Sequence, residues 1–178
     1  MSAIFYVLLL IVVVAIVGIL AFAATKPDIL RVQRSASIKA PADRIFDLIT
    51  DLRGWRAWSP YEKRDPEMAR TYSGADKGKG AAYAWDGNRN VGAGRMEIVD
   101  VEPPSKVVIK LEFLRPFKAT NTAEFVMEPK DDATMVTWKM YGPNRFIGKV
   151  MCIFIDMDKM IGKDFEDGLA NLKSVAEK

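Results

Sequence analysis

Hydrophobic and polar positions fall into three regimes along the chain. From Ser2 to Thr25 there is no charged residue, and Ile4 to Ala24 is almost all Leu, Ile, Val, Ala and Phe. As a helix this run spans roughly 30 Å, enough to cross the hydrocarbon core of a bilayer, and it has no polar face of the kind a soluble surface helix shows. The middle of the chain alternates with period two. The end, from Asn144 to Glu177, repeats apolar side chains three or four apart, at Ile147, Met151, Phe154, Ile155, Ile161, Phe165, Leu169, Leu172 and Ala176. That spacing predicts one long C-terminal helix, with Pro143 stopping the preceding segment and Asn144 as its N-cap. About thirty helical residues reach roughly 45 Å. Gly148, Gly162 and Gly168 are the places where such a helix bends or breaks.

In the middle, Leu30 to Ile38 reads as a strand, with Val32, Ala36 and Ile38 on one face and Gln33, Ser35 and Ser37 on the other. Arg34 falls on the apolar side and breaks the pattern. Ile45, Phe46, Leu48, Ile49 and Leu52 then form a stripe on a helix from about Ala42 to Asp51, ended by Gly54. Trp55 and Trp58, three apart before Ser59-Pro60, predict a short second helix with both indoles on one side. Strands follow at Met68–Tyr72, Ala81–Trp85, Val91–Val101, Lys106–Phe113, Ala119–Met127 and Thr134–Tyr141, joined by short turn-rich connectors that favour antiparallel hairpins.

The two faces of these strands differ. Ile98, Ile109, Phe125 and Trp138 share one, while Arg95, Glu97, Lys110, Glu112, Glu124 and Lys139 share the other. One dry face and one wet, charge-paired face describe an antiparallel sheet with a layer on one side only. The dry face is the surface that the C-terminal helix requires. The layout is α+β: a seven-stranded curved antiparallel sheet wrapped around a long C-terminal helix, two short helices after the first strand, and one N-terminal transmembrane helix. The expected division is residues 1–25 as transmembrane helix, 26–29 as linker and 30–178 as the folded domain.

Composition narrows the chemistry. Apolar residues make up 49% and charged residues 28%, which excludes a disordered chain. A net charge of +3 gives no footprint for a nucleic-acid partner. The absence of histidine removes histidine bases, histidine metal ligands and the serine or cysteine nucleophiles that depend on them. The lone Cys152 forms no internal disulfide and reads as a small buried hydrophobe. Asp156 and Asp158 are two apart and do not share a helix face, so they make a poor metal pair. Gly74–Gly80 lacks the residue order of a phosphate loop. No metal and no cofactor is expected.

Flanking charge orients the apolar run. Lys26, Arg31, Arg34, Lys39 and Arg44 follow it against Asp28 and Asp43, which puts the domain in the cytoplasm by the positive-inside tendency. The alternative is a signal peptide cleaved near Ala23, since Ala21-Phe-Ala23 has the small-x-small pattern, leaving a secreted or periplasmic domain.

The order of elements, and the residues on them, resemble the helix-grip superfamily. Its members include the birch-pollen allergen, steroidogenic-acute-regulatory lipid-transfer domains and polyketide cyclase/dehydrase relatives. The resemblance rests on Arg34-Ser-x-x-Ile-x-Ala-Pro41, Ile45-Phe-Asp-Leu-Ile49 and Leu52-x-x-Trp55-x-x-Trp58-Ser-Pro60, with Phe117–Thr122, Val136-Thr-Trp138 and Met157–Gly162 resembling a membrane-anchored subgroup without assigned function. It implies an apolar cavity between sheet and C-terminal helix. On this chain the lining would come from Trp85, Met96, Leu111, Phe113, Phe125, Trp138, Met140, Met151, Ile155 and Phe165, with Trp55 and Trp58 at the mouth or packing the first helix. The nine methionines suit either a pocket for a flexible guest or ordinary core filling.

The expected function is a membrane-anchored binding domain for a hydrophobic small molecule or lipid, without chemistry. The bilayer, through residues 3–24, and that ligand are the expected partners. Two alternatives stand: a polyketide cyclase/dehydratase-like enzyme, for which Arg34 and Tyr83 are the polar candidates directed inward, and a protein-interaction module with a closed core.

Overall fold

The alternating stretches become one antiparallel sheet. A computed structural model describes residues 3–178, with strands β1 (Ile29–Ile38), β2 (Ala69–Gly74), β3 (Ala81–Asp86), β4 (Ala93–Glu102), β5 (Lys106–Arg115), β6 (Ala119–Lys130) and β7 (Ala133–Pro143). Their spatial order is β1-β7-β6-β5-β4-β3-β2. Strands β2 to β7 are therefore consecutive hairpins, and β1 returns to pair with the last of them. Helices α2 (Ala42–Thr50) and α3 (Pro60–Arg64), with a 3-10 turn at Gly54–Ala57 between them, fill the crossover from β1 to β2. The apolar run is helix α1 (Ala3–Ala24), with most of its surface exposed, and α4 (Phe146–Phe154) and α5 (Met157–Ala176) follow β7. The sheet covered by a long C-terminal helix is the helix-grip arrangement that the sequence predicts.

Register decides which side chains share the inner face. Val107, Phe125, Trp138 and Arg34 stand side by side across β5, β6, β7 and β1. One row nearer the start of β1 come Ile98, Ile109, Ala123, Met140 and Val32, and beyond them Tyr72, Tyr83, Met96, Leu111 and Asn121. The outer face carries the expected charge pairs: Glu124 with Lys139 at 3.0 Å and Glu112 with Arg95 cross between strands, and Glu112 with Lys110 runs along β5. Helix α5 presses Phe165, Leu169, Leu172 and Ala176 onto the inner face, and all four are buried.

The C-terminal helix is not continuous. It breaks at Ile155-Asp156, not at one of its glycines, and the Asp156 side chain caps α5 by accepting from the Lys159 amide at 2.9 Å. Asn144 is not an N-cap either. Its side chain donates to the Pro27 carbonyl at 3.1 Å and its amide to the Asp28 carbonyl at 2.7 Å. Lys149, in α4, reaches the Asp28 carboxylate at 2.6 Å. The segment that sequence periodicity reads as the first part of one grip helix is thus tied to the chain that leaves α1. Helix α4 packs against α1, not against the sheet.

Candidate functional site

The inner face of the sheet divides into a filled half and a half-open half. In the filled half, Trp138 is a hub. Its ring stacks on Phe165 from α5 at 4.2 Å and on Phe125 at 4.8 Å, and Trp55 and Trp58 meet it edge-on. Both small-helix indoles are buried and bound to α2: Trp55 Nε1 donates to the Ile49 carbonyl at 2.8 Å and Trp58 Nε1 to the Leu48 carbonyl at 3.4 Å. Gly168 lets α5 approach this closely, since a Cβ there would stand 2.6 Å from the Trp138 ring. Of the residues expected around a ligand, Trp55, Trp58, Phe125, Trp138 and Phe165 therefore touch one another, with aromatic faces and edges in the offset arrangements such rings prefer.

The half-open half lies toward the start of β1, the end of the sheet from which α1 departs. Here Trp85, Leu111 and Phe113 are only partly buried, while Met96 and Met140 beside them are buried. The Trp85 indole lies against the backbone of Gly94, where a Cβ would stand 2.5 Å from the ring carbons, and it meets Phe113 edge-on at 6.1 Å. Asn121 closes the row, its amide turned to the Met140 sulfur at 3.7 Å. Met151 and Ile155 are elsewhere: the first is half-buried on α4 and the second exposed at the α4–α5 break. The structure brings together the strand residues of the expected lining and separates these two from them. Cys152, also on α4, is half-buried.

The two polar candidates both face inward, and both are engaged. Arg34, on the edge strand, donates to Glu166 at 2.8 Å and to Asp158 at 3.0 Å, both on α5. The hydrogen bond to Arg34 holds the Asp158 carboxyl below its usual range. Tyr83 is buried and donates to Glu62 Oε1 at 2.8 Å. Arg70 donates to the other Glu62 oxygen at 2.8 Å. Burial first, and the Glu62 hydrogen bond second, push the Tyr83 hydroxyl far above its ordinary range. Tyr72 stacks on Tyr83 at 5.0 Å, and its own buried hydroxyl has no partner among the described residues. Sequence reasoning missed Glu62, the buried carboxylate at the centre of this cluster. It sits in the charged run Glu62-Lys63-Arg64-Asp65, which reads as surface.

A groove of about 580 Å³ lies outside the sheet–α5 space, bordered by Asp43, Arg44, Asp47 and Lys77 on the exposed side of α2. A second, of about 90 Å³, borders Arg53 and Tyr72 near the β2 edge. The larger one has a mixed wall, since Pro41, Leu48 and Gly54 lie among its charged residues.

Comparison with known proteins places this architecture. The solved structure of protein CV1439 from Chromobacterium violaceum superposes with a TM-score of 0.59 at 12% identity, covering 86% of this chain and 99% of that one. An uncharacterized protein from Rhizobium leguminosarum gives 0.60 at 13% identity, covering 84% and 95%. The di-domain ARO/CYC StfQ from the steffimycin biosynthetic pathway gives 0.59 at 12% identity, covering 84% of this chain and 51% of that one. At such identities the likeness is one of fold. No curated protein matches the chain. The family described as polyketide cyclase / dehydrase and lipid transport matches residues 30–177, everything after the N-terminal helix and linker bar one residue at each end, and the chain belongs to it.

Proposed function

We propose that the chain is a membrane-anchored domain that binds a hydrophobic small molecule or lipid without transforming it. The observation that carries this reading is the half-open apolar patch of Trp85, Leu111 and Phe113 on the inner face, at the end of the sheet next to α1. The ligand rests on that patch and not between Trp138 and Phe165, whose rings already touch. Helix α1 is long and apolar enough to cross a bilayer, and a linker as short as Thr25–Asp28 keeps the patch near the lipid. The family description includes lipid transport, in agreement with an apolar guest. Arg34 and Tyr83 are held in ion pairs and hydrogen bonds and offer no poised acid or base, which supports binding over catalysis.

Native mass spectrometry of the full chain released from detergent is the test, with a fluorescent fatty acid titrated in parallel. A retained lipid-sized mass, and fatty-acid binding weakened severalfold in Phe113→Ala, are the expected results. A clean apo mass together with no saturable titration refutes the reading. It would leave the interaction module, which the closed Trp138–Phe165 stack favours.

A further inference from the structure

We propose that α4 and the β5–β6 turn form a second membrane contact, which lays the α1 end of the sheet onto the surface of the bilayer. The inference rests on the anchored reading of α1 and adds an orientation to it. Outside α1, the exposed large apolar side chains gather largely at one end of the molecule. Ile29, Leu114 and Phe117 come from the strand ends and the β5–β6 turn, and register puts these at the same edge: Ile29 pairs with Pro143, Phe113 with Ala119, and Ala93 with Arg115. Helix α4 adds Phe146, Ile147 and Phe154, exposed at 49%, 67% and 70%, with Ile155 just after it. The opposite end, where β6 turns into β7 and β4 into β5, carries charged and polar side chains instead.

Two observations choose lipid as the occupant. Helix α4 packs on α1, so its apolar face continues the surface of the helix that crosses the bilayer. Charge agrees. Lys26, Arg31, Lys118 and Arg145 ring the apolar end and form no ion pair among the described residues. Of the acidic residues beside them, Asp28 and Asp86 are already paired with Lys149 and Arg115, and Asp156 is engaged in capping α5. Apolar side chains within a basic rim match an anionic leaflet, where the rings enter below the headgroups and the cations remain among the phosphates. Helix α4 covers about 13 Å, the reach of an element that lies in the interface and does not span. The half-open patch of Trp85, Leu111 and Phe113 then faces the leaflet, so a guest passes from lipid to protein with little exposure to water.

Full-length chain in vesicles of phosphatidylcholine and phosphatidylglycerol provides the test. In a Cys152→Ala background, single nitroxide labels are placed through Phe117→Cys, Ile147→Cys and Phe154→Cys, with Val12→Cys in α1 and Lys130→Cys at the far end as references. Collision with oxygen, which concentrates in lipid, is compared with collision with a water-soluble nickel chelate. The expected oxygen-to-nickel ratio at 117, 147 and 154 exceeds that at 130 severalfold and approaches that at 12. If those three sites match 130 while 12 stays in lipid, the second contact is refuted and the anchor stands. If 12 also reports water, the anchor itself falls. If the three sites are shielded from both reagents, a protein neighbour covers the face and the lipid contact is refuted.

Discussion

Trp138 shows how one side chain decides what the inner face does. It is 4% exposed and is stacked between Phe125 and Phe165. Removing the upper ring by Phe165→Ala should cost about 3–5 kcal/mol of stability, the usual toll of a large aromatic deleted from a packed core, measured by urea denaturation. The same deletion opens space at the point where the family resemblance implies a cavity, so fatty-acid affinity should hold or rise while stability falls. Tyr83 makes a different prediction. Its hydroxyl is held neutral far above the ordinary value of about 10. A group raised in this way contributes stability that is fully present below the unfolded value and is lost as pH climbs toward the folded one. Thermal stability should therefore fall from about pH 10 upward. In Tyr83→Phe, which starts lower because Glu62 loses a donor, the alkaline slope should be shallower. An unchanged slope would mean that another group governs it. The cluster around Tyr83 was only half legible in the sequence. Tyrosine at an inward strand position is visible from alternation, whereas burial of Glu62 depends on where α3 comes to rest.

At the scale of elements, the strands and the long α5 were legible, and the separation of α4 from α5 was not. Period-two alternation marks strands wherever one face is dry, and here every expected strand is present, with some ends displaced by one to three residues. Periodicity fails at α4 because its apolar residues continue the spacing of α5 while facing a different surface. A helix that lies against α1 and a helix that lies against the sheet read alike when both surfaces are apolar. What separates them is polar: Asp156 caps one helix, and Lys149 moors the other to Asp28. The Lys149 ammonium, by hydrogen bond and then by charge, holds the Asp28 carboxyl below its usual range. Such a carboxylate stabilises above its unfolded pKa and ceases to do so as pH drops through its folded one. Asp28→Asn should therefore loosen α4 at neutral pH. Hydrogen exchange should speed up across Phe146–Phe154 and stay unchanged in β5 to β7. Equal exchange in both proteins would show that contact with α1 alone holds the helix.

At the scale of the whole molecule, one apolar helix and one grip domain share a short connection. The helix-grip architecture was readable from element order and the opening motifs, and the expected lining residues on the strands do share a face. The filling of its centre was not readable, because sequence gives the identity of inward side chains but not the distance at which α5 settles over them. Gly168 sets that distance by letting α5 sit against Trp138. With basic residues following α1, a reporter fused after Lys178 should be active on the cytoplasmic side, and the full chain should resist extraction from membranes by alkaline carbonate. Release by carbonate, or a reporter active only outside, would instead favour the cleaved leader ending near Ala23.

The connection has a mechanical corollary. Helix α1 runs into β1, and β1 is paired with β7 along its entire length, from Ile29 opposite Pro143 to Ile38 opposite Thr134. Tension directed along β1 is therefore shared among all the rungs of that ladder, whereas tension across it would open them in turn.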